Sequence, residues 1–510
     1  MPLDTRLTRV DANRVQIDNP HGIDAVLFAN EQVPVETAAV TELLELLDLH
    51  ETMEQFAEAA PDSFDQSPAI KQVAVTPDFH KARGIPVGTV LATQGFVVPQ
   101  AIGNDINCGM RLHLTSLEAD DIKGNLEDLE TAFRHIYFEG GRNIPMTRAQ
   151  REGLFKNGLT GLLNATPRTL TEGLWATVHE LDIERDLDRI DRRGSLPAET
   201  TYGLNDFLGP ADELTRDGQI GSIGGGNHFV EIQKVEKILD GTTAHAWGLK
   251  PGMVTVMVHT GSVSIGHLSG SHSRDVVREL HPKSLKQPDN GIFLLPDSEQ
   301  YQREASQFWD SVHNAANFAF ANRMFLAIMA LAGLRRVCGE VDFSLLYDAP
   351  HNFLWKDEVD GEAVVIHRKG ACPARGFEAM AGTPFAYYGE PVLVPGSMGA
   401  SSFILAGQGN VESLCSASHG AGRSLSRGEA LKGYDEEFRA FLERFRVVTP
   451  VDLRRQDVKQ RRDIVEKKLE AIKQEAPFAY KGIGPIVQTL TAAGIARPVA
   501  ELTPLMTMKG

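Results

Sequence analysis

The chain has 510 residues, of which 42% are hydrophobic and 23% charged, and its formal net charge is −17 at pH 7. This composition is typical of a globular protein with one large domain or two to three ordinary ones. The acidic balance argues against a broad, non-specific coat of nucleic acid, although a local basic groove remains compatible with it.

The cysteine pattern and the apolar runs predict a cytoplasmic protein. Four cysteines are scattered without a Cys-x-x-Cys pair: Cys108, Cys338, Cys372 and Cys415. This pattern suits free thiols in a reducing compartment better than a disulfide framework. Segment 1–18 lacks the apolar region of a secretory signal, and the apolar run 325–334 is too short to cross a bilayer. We expect Cys338, Cys372 and Cys415 to have ordinary packing or surface roles.

Several segments predict helices: 41–60, 125–139, about 303–334 and 451–475. In segment 125–139, apolar residues recur at helical spacing and Asn125 suits the N-cap. Segment 451–475 is highly charged, which is typical of a solvated helix face. Segment 115–220 holds many charges and few strand signals, so we interpret it as a helical elaboration.

Short β-branched runs alternate with these helices. Segments 254–259, 363–367 and 391–397 each predict a buried strand that ends in a Gly-rich turn. A polar side chain at such a strand end is well placed to point into a cleft. The alternation agrees with a mixed α/β fold, but it leaves the topology open.

Residues that could bind a metal recur in these turns. Asp105 and Cys108 are three apart in GNDINCGMRL, His228 follows a Gly triplet, His259 ends a strand, and His351 lies in YDAPHNF. One carboxylate, one thiolate and three imidazoles could serve one or two transition metals. Each residue alone is more often a packed or hydrogen-bonding group, and no pair has a tight metal-binding spacing. Ligand type alone does not separate Zn²⁺ from Mn²⁺.

A second group of turns suits phosphate. PGSMGASSF offers Ser397 and Ser402, HGAGR offers His419 and Arg423, and IHRKG offers Lys369 after a strand. Gly-rich turns form anion-binding nests, and basic side chains complete them. Each could be an ordinary tight turn, but three beside a candidate metal set favour a nucleotide or phosphoester substrate. His419 itself could be a packed residue, a metal ligand or a nucleophile.

Taken in order, eight segments closely resemble the RtcB family of RNA ligases. They are GNDINCGMRL, GGGNHFVEI, HTGS…GH, YDAPHNF, HRKGA, PVLVPGSMG, HGAGRSLSR and AYKGIG…AGIAR…MKG. The resemblance covers about 70–510 and is poor over 115–220. Any one motif is common, whereas eight in the same order are specific.

The resemblance implies a single mixed α/β catalytic domain over 1–510, with β-sheets surrounded by helices and a metal cleft at strand ends. It implies a ligase that uses GTP and two Mn²⁺ ions. The substrates would be RNA ends with a 2′,3′-cyclic phosphate or 3′-phosphate and RNA ends with a 5′-hydroxyl, in tRNA splicing or RNA repair. An activating protein is left open as a partner.

The family's site residues carry over onto matching positions. His419 would attack the α-phosphate of GTP and become guanylylated. Cys108 would bridge both ions, with Asp105 and His228 completing one site and His259 and His351 the other.

The guanylate pocket carries over in the same way. Asn227 and Arg423 would meet phosphate. The guanine and ribose would be held by Glu231, Ser397, Ser402, Tyr480 and Lys509. Glu231 would accept from the guanine N1–H and exocyclic amine, and would therefore favour GTP over ATP.

Two positions depart from the family pattern. Val263 follows HTGS where an arginine is common, and Cys372 and Pro373 replace a threonine and an arginine. Both missing arginines would be expected near RNA phosphates, so the departures bear on RNA ligation rather than on self-guanylylation. The alternatives are a metal-dependent phosphodiesterase that uses water, a diverged paralogue acting on other phosphorylated ends, and a non-catalytic RNA or nucleotide sensor.

Overall fold

The computed structural model describes residues 4–211, 213–453 and 455–510. The strands are β1 (Leu7–Arg9), β2 (Arg14–Ile17), β3 (Ala25–Phe28), β4 (Ala69–His80), β5 (Val87–Gln94), β6 (Phe96–Val97), β7 (Gly109–Glu118), β8 (Pro145–Met146), β9 (Thr215–Arg216), β10 (Phe229–Ile238), β11 (Met253–Thr260), β12 (Leu295–Pro296), β13 (Phe343–Pro350), β14 (Asn352–Val359), β15 (Glu362–Lys369), β16 (Ala371–Pro373), β17 (Pro391–Val394), β18 (Ser402–Gly407), β19 (Ser416–Ser418), β20 (Arg446–Val448) and β21 (Ala496–Met508).

The α-helices lie between these strands. They are α1 (Thr37–Leu47), α2 (Leu49–Ala59), α3 (Ala119–Lys123), α4 (Leu126–Phe138), α5 (Arg148–Asn164), α6 (Trp175–Glu180), α7 (Ile183–Leu187), α8 (Asn205–Leu208), α9 (Gly241–Trp247), α10 (Val263–Leu280), α11 (Gln302–Cys338), α12 (Arg427–Ala430), α13 (Asp435–Arg444), α14 (Gln456–Lys459), α15 (Arg462–Lys473) and α16 (Ile483–Ala492). The fold is mixed α/β with sheets surrounded by helices, which confirms the predicted fold class.

One large sheet has the strand order β13-β7-β11-β10-β21-β18-β17, with β20 alongside β21. Neighbours along this order are antiparallel, and β20 pairs with β21 in parallel. Antiparallel pairing places the starts of β7 and β10 beside the ends of β11 and β13. The register shows this directly, because Gly109 pairs with both Thr260 and Pro350, and Phe229 pairs with His259.

A second sheet has the order β1-β2-β3-β4-β5-β15-β14. The chain passes from the first sheet to the second at His351, between the end of β13 and the start of β14. A short antiparallel pair, β16 with β19, leads into the turn that carries His419. The ends of strands from both sheets therefore meet in one region.

Helix α11 forms the centre of the main hydrophobic core. The helical stretch Glu299–Cys338 is long and apolar enough to cross a membrane, but 94% of its most apolar part is buried inside the protein. This is the position of a core helix. Buried side-chain amides on α11 form hydrogen bonds with the backbone of nearby loops. Asn317 bonds the N–H and carbonyl of Leu196, and Asn322 bonds the Gly221 N–H and the Gly261 carbonyl.

Two predicted helices are each divided in the structure. Segment 41–60 divides into α1 and α2 at Asp48, and segment 451–475 contains α14 and α15 with a break near Arg461. Neither break carries Gly or Pro, the usual sequence signals. Asn125 does precede α4, but its side chain makes no capping hydrogen bond.

The segment 115–220 begins with the end of β7 and is then largely helical from α3 to α8. Its helices pack into the core rather than over the surface. Phe133 lies against Gly333 of α11, where an added Cβ would come within 2.5 Å of the ring. Trp175 meets Phe325 edge-on at 5.2 Å between ring centroids.

Candidate active site

A cavity of about 270 Å³ opens where the two sheets meet. The first sheet contributes Phe229, Glu231 and His259 to its wall, and the second contributes His80 and Lys369. The turns after β19 and β21 add further walls. All but one of the site residues predicted from the sequence line this cavity: Asp105, Cys108, Asn227, His228, Glu231, His259, His351, Ser397, His419, Arg423, Tyr480 and Lys509.

The five candidate metal ligands form two groups that share Cys108. One group is Cys108 with His259 and His351, and the other is Cys108 with Asp105 and His228. Within each group the donor atoms lie within 4.8 Å of one another. The Cys108 sulfur is 3.3 Å from Nε2 of His228 and 3.3 Å from Nε2 of His259. A shared thiol between two donor groups is the arrangement that a bridging ligand requires.

The outer donors are equally close. Nε2 of His259 lies 3.2 Å from Nε2 of His351, and Nε2 of His228 lies 2.9 Å from Asp105 Oδ2. The sheet register explains this convergence. The residues lie where β7 and β10 start and where β11 and β13 end, and these strand ends are neighbours in the sheet. Asp105 is held by the Val263 N–H, which donates to Oδ1 at 2.9 Å.

The electrostatics of this cluster suit a cation. Burial, together with neighbouring imidazoles, lowers the pKa of His259 and His351 well below the ordinary value, so both rings are neutral with free lone pairs. Burial and the Asp105 carboxylate raise the pKa of the Cys108 thiol, so a thiolate there needs a nearby cation. Thiolate, imidazole and carboxylate donors together fit a divalent transition metal.

His419 is oriented by a carboxylate that the sequence analysis did not single out. Nδ1 of His419 lies 2.5 Å from Oδ2 of Asp78, a fully buried residue of β4. Burial would raise the pKa of Asp78, but the charge and hydrogen bond of His419 and the Thr76 hydroxyl hold it below its ordinary value. In the neutral imidazole, Nδ1–H donates its hydrogen bond to the ionised Asp78, and the Nε2 lone pair is then available.

Glu231 of β10 lines the same cavity. Its carboxylate accepts from the Thr507 hydroxyl and, at 2.7 Å, from Gln233 Nε2. Burial raises the pKa of Glu231 to about 7. Lys509 donates to the Gly226 carbonyl, and burial lowers the pKa of its amine to about 8.

Ser402 is the predicted site residue that does not line the cavity. It is buried, and its hydroxyl oxygen accepts from Gln233 Nε2 at 3.1 Å and from the Gly396 N–H at 3.2 Å. Ser402 therefore holds Gln233, which in turn holds Glu231. Its direct contact with a ligand stays a prediction.

Glu475 is a second carboxylate that sequence reasoning missed. It accepts from Arg423 Nη1 at 2.9 Å, from Arg427 Nε at 3.0 Å and from the Tyr480 hydroxyl. Burial would raise the pKa of Glu475, but Lys509 and the two arginines hold it below its ordinary value. Arg423, predicted to meet phosphate, is thus paired with a carboxylate in this structure.

The positions that depart from the family pattern do not line the cavity, although the Val263 N–H is bonded to Asp105. Val263 begins α10 with a left-handed backbone (φ +49°), which is rare for a β-branched residue. Cys372 and Pro373 belong to β16, are buried, and pair with β19. In the neighbouring IHRKG motif, Lys369 lines the cavity, whereas Arg368 is buried and bonded to Ser416.

Comparison with known proteins places the chain in a family. The family model described as tRNA-splicing ligase RtcB matches residues 63–510. The tRNA-splicing ligase RtcB of Thermococcus kodakarensis is 34% identical over 501 residues, which cover 94% of this chain and 95% of the relative. The tRNA-splicing ligase RtcB of Pyrobaculum aerophilum is 32% identical, again over 94% and 95%. That of Methanococcus maripaludis is 30% identical, over 87% and 89%. The chain belongs to the RtcB family, which confirms the resemblance inferred from the motifs.

Proposed function

We propose that this chain is an RNA ligase of the cytoplasm that uses GTP and Mn²⁺. It joins RNA ends with a 3′-phosphate or 2′,3′-cyclic phosphate to 5′-hydroxyl ends, through a guanylylated His419. Family membership and the names of the relatives support the RNA ligase class. The observation that carries the mechanism is the Asp78–His419 pair, in which a buried carboxylate holds Nδ1 2.5 Å away at the cavity wall.

In the first step, Nε2 of His419 attacks the α-phosphorus of GTP. A nitrogen–phosphorus bond forms, the bond from the α-phosphorus to the bridging oxygen breaks, and pyrophosphate leaves. Asp78 keeps the proton on Nδ1 and stabilises the positive charge that develops on the ring.

A 2′,3′-cyclic phosphate end is first opened by water, which attacks its phosphorus as the bond to the 2′-oxygen breaks, giving a 3′-phosphate. In the second step, an oxygen of the RNA 3′-phosphate attacks the same phosphorus, and the nitrogen–phosphorus bond breaks to restore His419. In the third step, the 5′-hydroxyl oxygen attacks the RNA 3′-phosphorus. GMP leaves, and the hydroxyl proton is released to solvent. The same imidazole thus serves each turnover.

The metal ions would be held by Cys108 in both groups, with Asp105 and His228 on one side and His259 and His351 on the other. Bound Mn²⁺ would neutralise phosphate charge and help to fix in-line geometry. The choice of Mn²⁺ rests on the family resemblance, whereas the donor set supports a divalent transition metal more generally.

The guanylate would lie against the part of the cavity that contains Glu231 and Lys509, with Asn227 and Ser397 beside it. Ser402 would act through Gln233. Arg423 would contact phosphate by exchanging its Glu475 partner for the ligand, and Tyr480 shares that partner.

The test is covalent labelling. The protein is incubated with α-³²P-labelled GTP and Mn²⁺, denatured and examined for label on the chain, with His419→Ala and Asp78→Asn in parallel. We expect label on the wild type, none on His419→Ala, and a rate at least 10-fold lower for Asp78→Asn, because the amide no longer fixes the tautomer.

A wild type that binds Mn²⁺ but takes up no label would contradict the histidine mechanism. GTP-independent hydrolysis of a 2′,3′-cyclic phosphate by the same sample would then favour the phosphodiesterase alternative.

A further inference from the structure

A fully buried charge cluster lies directly behind the candidate metal ligands. Asp348 of β13 accepts from Arg111 Nη1 at 3.0 Å and from Arg323 Nε at 2.8 Å. The side chains of Asp348 and Arg323 are 0% exposed and that of Arg111 is 1% exposed. Burying two guanidinium groups beside one carboxylate is costly unless the remaining donors are satisfied. The hydrogen-bond partners of the remaining guanidinium donors identify the backbone segments that this cluster keeps in place.

Arg323 is bonded to the backbone next to two candidate ligands. Its Nη1 donates to the Asn107 carbonyl at 2.6 Å and to the Thr260 carbonyl at 3.1 Å. Its Nη2 donates to Asn107 Oδ1 at 3.1 Å. Asn107 immediately precedes Cys108, and Thr260 immediately follows His259. One planar group therefore joins the segments that carry the thiol and an imidazole.

Asn107 extends this network to the third ligand. Its backbone is left-handed (φ +57°), its N–H donates to the Asn352 carbonyl at 2.7 Å, and its Nδ2 donates to the Ala316 carbonyl at 2.8 Å. The His351 N–H in turn donates to the Cys108 carbonyl at 2.7 Å. Asp348, three residues before His351, anchors the same strand to Arg323.

We infer that Arg323 is a positioning residue for the metal cluster, and that its guanidinium fork sets the separation of Cys108, His259 and His351 and hence the affinity for the divalent cation. The Arg323 fork, with its donors in fixed directions, holds four acceptor atoms of three residues at once, whereas a lysine ammonium at the same site reaches fewer of them. This inference rests on the proposed metal site and adds a residue outside the ligand set.

Arg111 provides a matched comparison within the same cluster. It is equally buried and bonds the same carboxylate, but its other side-chain contact is His113 Nε2 at 2.8 Å. His113 stacks on Phe343 at 4.1 Å between centroids, away from the cavity wall. Arg111 thus shares the electrostatic environment of Arg323 without bonding the backbone of the ligand-bearing segments.

The experiment measures Mn²⁺ binding by calorimetry and thermal unfolding by circular dichroism, without GTP or RNA. The proteins are the wild type, Arg323→Lys, Arg111→Lys, Asn107→Gly and Cys108→Ala. Asn107→Gly removes the side-chain contacts to Arg323 and Ala316 while retaining a residue that tolerates the left-handed backbone. If Arg323→Lys does not fold, the Mn²⁺ affinity of Asn107→Gly tests the inference instead.

We expect Arg323→Lys to weaken Mn²⁺ binding about 10-fold or more, as for other residues that orient metal ligands, and Asn107→Gly to weaken it less. Arg111→Lys should lower the unfolding temperature while leaving Mn²⁺ affinity within about 2-fold of the wild type. Equal affinities for the wild type and a folded Arg323→Lys, or equal losses for the two arginine variants, would overturn the inference. Failure of the wild type to bind Mn²⁺ would remove the metal assignment as well.

Discussion

The two sides of the cavity are built differently. The metal side takes its residues from strand ends of one sheet, and the adjoining backbone is held by paired strands and by Arg323. The guanylate side takes Arg423 and Tyr480 from a region of short helices with a small core of its own: Met398, Phe438, Phe441, Ile472 and Ala476. There, Arg423, Arg427 and Tyr480 converge on the Glu475 carboxylate, and Arg423 also donates to the Leu425 and Gln474 carbonyls.

This difference separates a preorganised region from an exchangeable one. Backbone hydrogen bonds in a sheet interior keep the metal ligands in place whether or not a ligand is present. Side-chain ion pairs can be replaced by phosphate, since a guanidinium binds phosphate and carboxylate with similar geometry. We therefore expect substitutions on the metal side to abolish activity and those on the guanylate side to change affinity by degrees.

The largest expected effect is that of Cys108→Ala. Because Cys108 is shared by both donor groups, its loss should reduce Mn²⁺-dependent self-guanylylation by about 100-fold or more, with the fold intact. Cys338→Ala, outside the cavity and half-buried, is the matched control and should keep full activity. Labelling rates and circular dichroism of both variants make the comparison. Full activity of Cys108→Ala would exclude the shared-thiolate arrangement.

An intermediate effect is expected for Glu231→Gln. The amide cannot accept hydrogen bonds from both guanine donors, so the preference for GTP over ATP should fall by about 10- to 100-fold. That loss corresponds to about 1.5–3 kcal/mol, the range for hydrogen bonds to a charged group. Competition of ATP against labelled GTP measures the preference. Unchanged discrimination would remove the assigned role of Glu231.

The wild-type pH dependence is the control for this variant. Since burial raises the pKa of Glu231 to about 7, the carboxyl is protonated below that pH and loses an acceptor. GTP binding by the wild type should therefore strengthen as the pH rises from 6 to 8. In Glu231→Gln this contribution to the pH dependence should be absent.

The smallest effect is expected for Val263→Arg, which restores the residue common in the family. The backbone N–H that holds Asp105 is retained, so self-guanylylation should not change. Joining of 3′-phosphate and 5′-hydroxyl RNA ends should improve by about 2- to 5-fold, from one added phosphate contact of about 0.5–1 kcal/mol. Val263→Ala is the control, since it also removes the β-branch but adds no charge. Equal ligation by both variants would show that the departure is neutral.

The sequence identifies site residues better than it identifies their neighbours. Polar residues after β-branched runs, such as His259, are recognisable as strand-end candidates. That Cys108 lies beside both His228 and His259 follows from the order of strands in the sheet, which no local pattern contains. The grouping of ligands came from the family resemblance, and the role of each ligand stays a prediction, as does a single domain over 1–510.

Asp78 and Glu475 show why the sequence did not identify every residue of the site. Asp78 and His80 alternate around Phe79 at the end of β4, so a period of two was available as a signal. Glu475 had no such signal, because it ends the charged segment 451–475 that is typical of a solvated helix. Its pairing with Arg423, 52 positions earlier, exists only in the folded chain.

The place of β21 in the large sheet affects how the protein folds during synthesis. β21 lies between β10 and β18, and Ile232 pairs with Met506. At a synthesis rate of about 5–20 residues per second, the edge of β10 that pairs with β21 stays unpaired for roughly 15–55 seconds until β21 is translated. An unpaired apolar strand is an aggregation hazard during that interval. The nascent chain should therefore depend on chaperones that shield its middle third until the last strand emerges.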